Sequence, residues 1–165
     1  YRTEAAKWEN CKISFEIKTH RSDVRNKRAA DRAVEMVRML GLEKRTEYIA
    51  FSKVVCQRLH EITPESKIAY LSGDLTPAQV KEMGLSGIDY NEGVFKKHPE
   101  WLQEAKQLGI EVNVWTVDGE DNLRHHANLD GIDIITTNDP EILKGILAEQ
   151  QQAKQPAAKK TKKHK

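Results

Sequence analysis

The sequence predicts an α/β protein, read as an incomplete (β/α)8 barrel of six βα units. Three observations point there. Short apolar strands alternate with helical stretches six times, with brief connections, which implies a parallel sheet with right-handed crossovers. The units are short, at about 20–30 residues each, which suits a barrel better than the competing doubly wound open sheet; a full barrel runs to about 250 residues and eight units. The first ten residues, Tyr1 to Asn10, read as the last turns of a helix already under way, with Ala5 and Trp8 on its apolar side and no N-cap. The expectation is therefore that two βα units are absent upstream.

The units follow in order. A strand at about 11–18 precedes a helix at about 27–40, where Ala30, Ala33, Val34, Val37 and Leu40 recur at helical spacing and Gly41 is a stop. "YIAFS" (Tyr48 to Ser52) is a strand and "KVVCQRLHEI" a helix. "KIAYLSG" is a strand; Thr76 caps the next helix, Pro77 takes its first position and Gly84 ends it. "SGIDYN" is a short strand, and "HPEWLQEAKQLG" a helix from Pro99 to Gly109. "IEVNVWTVD" is a strand, "GEDNLRHHANL" a helix, "GIDIITTN" a strand, and "DPEILKGILAEQ" a closing helix with Asp139 as cap. The barrel domain is expected to span residues 1–148. Residues 149–165 form a polar, basic tail expected to be disordered, because it cannot bury enough apolar surface to fold.

Composition narrows the classes. The 38% hydrophobic and 32% charged content is that of a globular protein. No apolar run approaches the roughly 20 residues of a membrane helix, and no signal-peptide core is visible. The first residue is not Met, which reads as a processed chain or a fragment, and no compartment is named. The net charge of +2 hides an asymmetry: Lys154 to Lys165 holds six Lys, so the body carries about −4. A basic tail can contact nucleic acid or an acidic membrane, but a solvated tail is the plainer reading, and no nucleic-acid module is present elsewhere. Cys11 and Cys56 lack metal-ligand spacing and are expected to be buried thiols.

The chemistry is expected at the C-terminal strand ends, where barrel active sites are built. On the first strand Ile13, Phe15 and Ile17 suit the helix layer, which sends Ser14, Glu16 and Lys18 into the lumen. A lumenal carboxylate is costly unless it is paired or binds a metal. Two readings of "FEIK" thus stay open: an internal Glu16–Lys18 ion pair, and a site. On the Trp strand, Ile110, Val112 and Val114 form the helix-facing side, and Asn113 and Trp115 point inward, with Trp115 as a plug or as a substrate wall. The last strand ends in Thr136, Thr137 and Asn138 before a helix N-terminus of the kind that holds phosphate, although Asp139 at the cap weakens an anion site. His20 is a candidate acid–base group; His125 and His126 are expected to be solvated.

Three motifs in order, "FEIK", "GIEVNVWTVD" and "GIDIITTNDP", resemble the glycerophosphodiester phosphodiesterase family, with lesser matches at "AFS", "KIAYLSG" and "PEWLQEAKQLGI". The resemblance covers about residues 10–145. It implies a (β/α)8 barrel that hydrolyses a small-molecule glycerophosphodiester to glycerol 3-phosphate and an alcohol with a divalent metal, Ca²⁺ or Mg²⁺. It implies Glu16 as a metal ligand, Lys18 as the catalytic and substrate-binding group at the phosphate, and Trp115 as a substrate-binding wall. The physics is consistent: a hard cation takes carboxylate oxygens, and metal and Lys together neutralise a phosphodiester as charge builds.

The family's histidines, in "HRG" and "HD" motifs, and its "E-x-D" metal ligands precede the "EIK" strand. Here only fifteen residues precede Glu16, and "HRS" at His20 to Ser22 follows that strand. "DGI" near the end reads Asp133-Ile134-Ile135. The expectation is strands three to eight of the barrel, inactive and poorly stable when isolated. The alternatives are a non-catalytic barrel relative that binds a phosphate ligand or a protein partner, and a different barrel phosphodiesterase.

Overall fold

A computed structural model gives the structure and describes residues 11–154. Six parallel strands, paired in chain order, form a curled half-barrel with helices on its outer side. The strands are β1 (Ile13–Glu16), β2 (Thr46–Ala50), β3 (Ile68–Tyr70), β4 (Gly87–Asn91), β5 (Glu111–Trp115) and β6 (Ile134–Ile135). The helices are α1 (Asp23–Met39), α2 (Lys53–Ile62), α3 (Pro77–Glu82), α4 (Glu92–Lys97), α5 (Glu100–Leu108), α6 (Glu120–Ala127) and α7 (Pro140–Lys154).

The helices begin and end where their chemistry dictates. Ser22 accepts from the Arg25 N–H at the start of α1. Thr76 and Gln79 form a reciprocal capping box on α3, with Pro77 at its first turn. Gly109 ends α5 at φ 67°, in the left-handed region. The short helix α4 is an addition to the sequence reading. Its six residues, capped by the Asn91 side chain, are too few to show a period. Helix α7 runs to Lys154, past the expected tail boundary at 148. The rest of the tail, and the expected leading helix with Ala5 and Trp8, lie outside the described residues.

The core lies between sheet and helices. Tyr48, Ala50, Ile68, Tyr70, Ile88, Tyr90, Val112 and Val114 point outward from the strands, and none is more than 2% exposed. They meet Val34 and Val37 of α1, Val55 and Leu59 of α2, Val80 of α3, Ala105 of α5 and Leu123 of α6. Strand period two thus puts the apolar set on the helix side and leaves the other set for the concave face. Three expectations are corrected. Leu40 is 63% exposed because it sits past the last turn of α1. Cys11 is exposed, since it precedes β1; Cys56 is buried, and burial pushes its thiol up to about 12. His126 is buried against Asn122, whose carbonyl lies 3.0 Å from Nδ1, while His125 stays exposed.

Gly131 makes a left-handed backbone turn in the approach to β6. Its φ is 97°, and a Cβ there would stand 2.9 Å from the Leu102 carbonyl oxygen. Gly131→Ala is expected to destabilise the chain by about 1–3 kcal/mol, seen as a lower denaturation midpoint in urea. An unchanged midpoint would show that the turn relaxes freely.

Candidate active site

The concave face opens into a cleft of about 430 Å³. Strand β1 supplies Ser14 and Glu16 with Lys18 just beyond it; β2 supplies Glu47 and Ile49 with Phe51 beyond. Leu71 follows β3, Asp89 comes from β4, Asn113 and Trp115 from β5, and Ile134 and Thr136 from β6 and its exit. The in–out alternation therefore brings Glu16, Lys18 and Trp115 to one cleft at the C-terminal strand ends. His20 is exposed beyond the strand, and its backbone N–H donates to Asn26 Oδ1 at 2.8 Å.

Lys18 Nζ stands 2.7 Å from Glu16 Oε1, an ion pair without the alignment of a hydrogen bond. The Lys18 side chain is 77% exposed, so this pair is screened by water and contributes little to stability. Glu16 Oε1 is itself shielded from solvent and has no hydrogen-bond partner among the described residues. The Lys18 ammonium is thus the cation that this carboxylate holds at the cleft.

Trp115 is fixed from two directions. Its indole N–H donates to the Asp89 carbonyl at 2.8 Å, and its ring meets Phe51 edge to face at 6.0 Å. With Ile49 and Leu71 it gives the cleft an apolar lining. Below it lies Asp89, only 3% exposed, with Oδ1 unpartnered. Burial chiefly, then the negative Glu47 and Glu16, push its carboxyl up to about 7, against the lowering effect of Asn113. At the opposite, N-terminal ends of the strands Lys67 pairs with Glu111. Asp89 and Glu47 were missed from sequence. The alternation that places Glu16 would have found both, since Ile88 and Tyr90 flank Asp89 as Thr46 and Tyr48 flank Glu47.

The sequence profile of the glycerophosphoryl diester phosphodiesterase family matches residues 2–142. The chain belongs to this family. Among solved structures it is similar to a glycerophosphodiester phosphodiesterase from Parabacteroides distasonis ATCC 8503, at 38% identity and TM-score 0.86, covering 90% of this chain and 62% of that one. A family protein from Silicibacter pomeroyi DSS-3 aligns at 23% identity and TM-score 0.76, covering 85% of this chain and 51% of that one. A phosphodiesterase from Oleispira antarctica, solved with the product sn-glycerol-3-phosphate, shares the fold at 12% identity and TM-score 0.63, covering 82% and 56%. The chain thus spans between about half and two thirds of these relatives. No curated protein gives a significant match.

Members of this family are generally metal-dependent. Among the described residues, however, no three His, Cys, Asp or Glu side chains are grouped so as to hold a metal ion. A hard cation takes six or more oxygen ligands, so the described residues do not make a complete site for such an ion by themselves. Among the described residues no helix is long and apolar enough to cross a membrane.

Proposed function

We propose that this chain forms one part of the active site of a metal-dependent glycerophosphodiester phosphodiesterase, which releases glycerol 3-phosphate and an alcohol. One observation carries the reading: in a chain of this family, Glu16, Lys18 and Trp115 line one cleft at the C-terminal ends of the strands. Lys18 offers a mobile ammonium to the anionic phosphodiester and to the charge that grows on its oxygens. Trp115 and Phe51 offer an apolar surface to the carbon skeleton of the substrate and fix its direction. Glu16 is the carboxylate this chain contributes to a Ca²⁺ or Mg²⁺ site completed by other residues.

Hydrolysis joins a water oxygen to phosphorus and breaks the bond to the alcohol oxygen, so a base must take a proton and an acid must return one to the leaving group. No histidine lines the cleft among the described residues. We infer that these proton-transfer groups come from the part of the relatives that this chain does not span. The reading is tested in a completed protein, in which the chain is joined to the unmatched part of the Parabacteroides distasonis relative. With glycerophosphocholine it is expected to release choline and glycerol 3-phosphate. Lys18→Met is expected to lower kcat/KM by about 10²-fold with an unchanged melting temperature. A completed, folded protein that cleaves no glycerophosphodiester would defeat the proposal.

A further inference from the structure

We infer that Asp118 is a positioning residue: it clasps the loop after β6 to the loop after β5 and so fixes the rim on which Trp115 and Thr136 face the cleft. This inference rests on the hydrolase reading above. The need for a clasp is visible in the topology. Strand β6 has two residues and pairs with β5 at two register positions. So short a strand holds its exit loop weakly. Two backbone bonds extend the pairing: Val117 N–H donates to Thr136 O at 3.0 Å, and Thr136 N–H to Val114 O at 2.9 Å.

Beyond them, side chains take over. Asp118 Oδ1 accepts from the Asn138 backbone N–H at 2.8 Å and from the Thr137 hydroxyl at 3.3 Å. Its Oδ2 accepts from Asn138 Nδ2 at 2.9 Å. Thr137 Oγ1 in turn accepts from Asp139 N–H at 2.9 Å, and Asp139 Oδ2 accepts from Gly119 N–H at 3.1 Å. The two loops therefore grip each other in both directions.

The clasp leads directly into the site. Thr136, held between its two backbone bonds, lines the cleft, and its hydroxyl donates to Asn113 Oδ1 at 3.1 Å. Asn113 is the register partner of Asp89, whose carbonyl anchors the Trp115 indole. The bonds of the clasp are mostly solvent-exposed, so water competes for each and their effect on global stability is small. Their effect is on the placement of the rim. The clasp also turns the Asp139 carboxylate toward Gly119, which gives this carboxylate a role at the rim distinct from that of a phosphate-binding helix end.

The test has two arms. In the 165-residue chain, Asp118→Ala is expected to speed amide hydrogen exchange at Asn138 and Val117 at least tenfold, while core amides of β4 are unchanged. In the completed protein, Asp118→Ala and Asn138→Ala are each expected to raise KM for glycerophosphocholine about tenfold, to change kcat less than threefold, and to be non-additive when combined. Asp118→Asn, with the Asn138 amide turned over, keeps the grip and is expected to stay within twofold of the parent. Unchanged rim exchange, an unchanged KM, or an Asp118→Asn variant as impaired as Asp118→Ala overturns the inference. A completed parent protein with no activity defeats the hydrolase reading and the positioning role with it, and the exchange arm then reports on the clasp alone.

Discussion

Glu16→Ala in the completed protein is expected to lower kcat/KM for glycerophosphocholine by about 10³-fold or more. The parent is expected to melt at a higher temperature with Ca²⁺ or Mg²⁺, and the same substitution is expected to remove that rise. The reason is geometric. Glu16 lines the cleft, and its Oε1, with no hydrogen-bond partner among the described residues, sits beside the exposed Lys18 ammonium, so the substitution removes a cleft-lining carboxylate and opens no core cavity. It also leaves Lys18 without its ion-pair partner, and that exposed ammonium is then neutralised by solvent. The melting temperature without metal should therefore move little. Retention of both activity and metal-dependent stabilisation in Glu16→Ala would remove Glu16 from the site.

The second large effect concerns Asp89 and pH. Its folded carboxyl titrates at about 7, against 3.8 for an ordinary Asp. The folded state thus keeps a proton that the unfolded chain has already lost. The resulting stabilisation is fully present below the unfolded value and is lost as pH rises through about 7. The shift is worth up to roughly 4 kcal/mol. Asp89→Asn, neutral throughout, is expected to flatten the dependence of the urea midpoint on pH between 4.5 and 8, and to make the chain more stable than the parent at pH 8. The groups that drive the shift, besides burial, are Glu47 and Glu16 across the lumen, so Glu47→Gln should reproduce part of the effect. An Asp89→Asn variant with the parent's full pH dependence would place the titrating group elsewhere.

The fold was legible because its signals are local and repeated. Thr76-Pro77 and Gly109 mark helix ends by capping chemistry that acts within one turn. The period-two pattern of Ile13, Phe15 and Ile17 against Ser14, Glu16 and Lys18 separates outer and inner faces, and the structure puts the second set in the cleft. The same rule on β5 places Trp115. What escaped depended on contacts between distant segments. Asp89 is the exception, since the alternation along β4 marks its inward side; what that alternation does not show is how deeply the curled sheet buries it. His126 reads as one of a solvated pair, but it turns inward where α6 meets its neighbours. The clasp at Asp118 joins loops about 20 residues apart, and sequence spacing alone carries no sign of it. Leu40 shows the opposite error, an apolar residue in register with the helix stripe yet past the end of the helix.

The central claim is that this chain carries the Glu16–Lys18–Trp115 wall of a phosphodiesterase site and needs proton-transfer groups and further metal ligands from outside its described residues. The most direct measurement is the release of glycerol 3-phosphate from glycerophosphocholine, with Ca²⁺ or Mg²⁺ present, by the 165-residue chain and by the completed protein at equal concentration. The account predicts release by the completed protein and, from the chain alone, a rate at least about 10³-fold lower. Metal-dependent turnover by the chain alone at the completed protein's rate would contradict it.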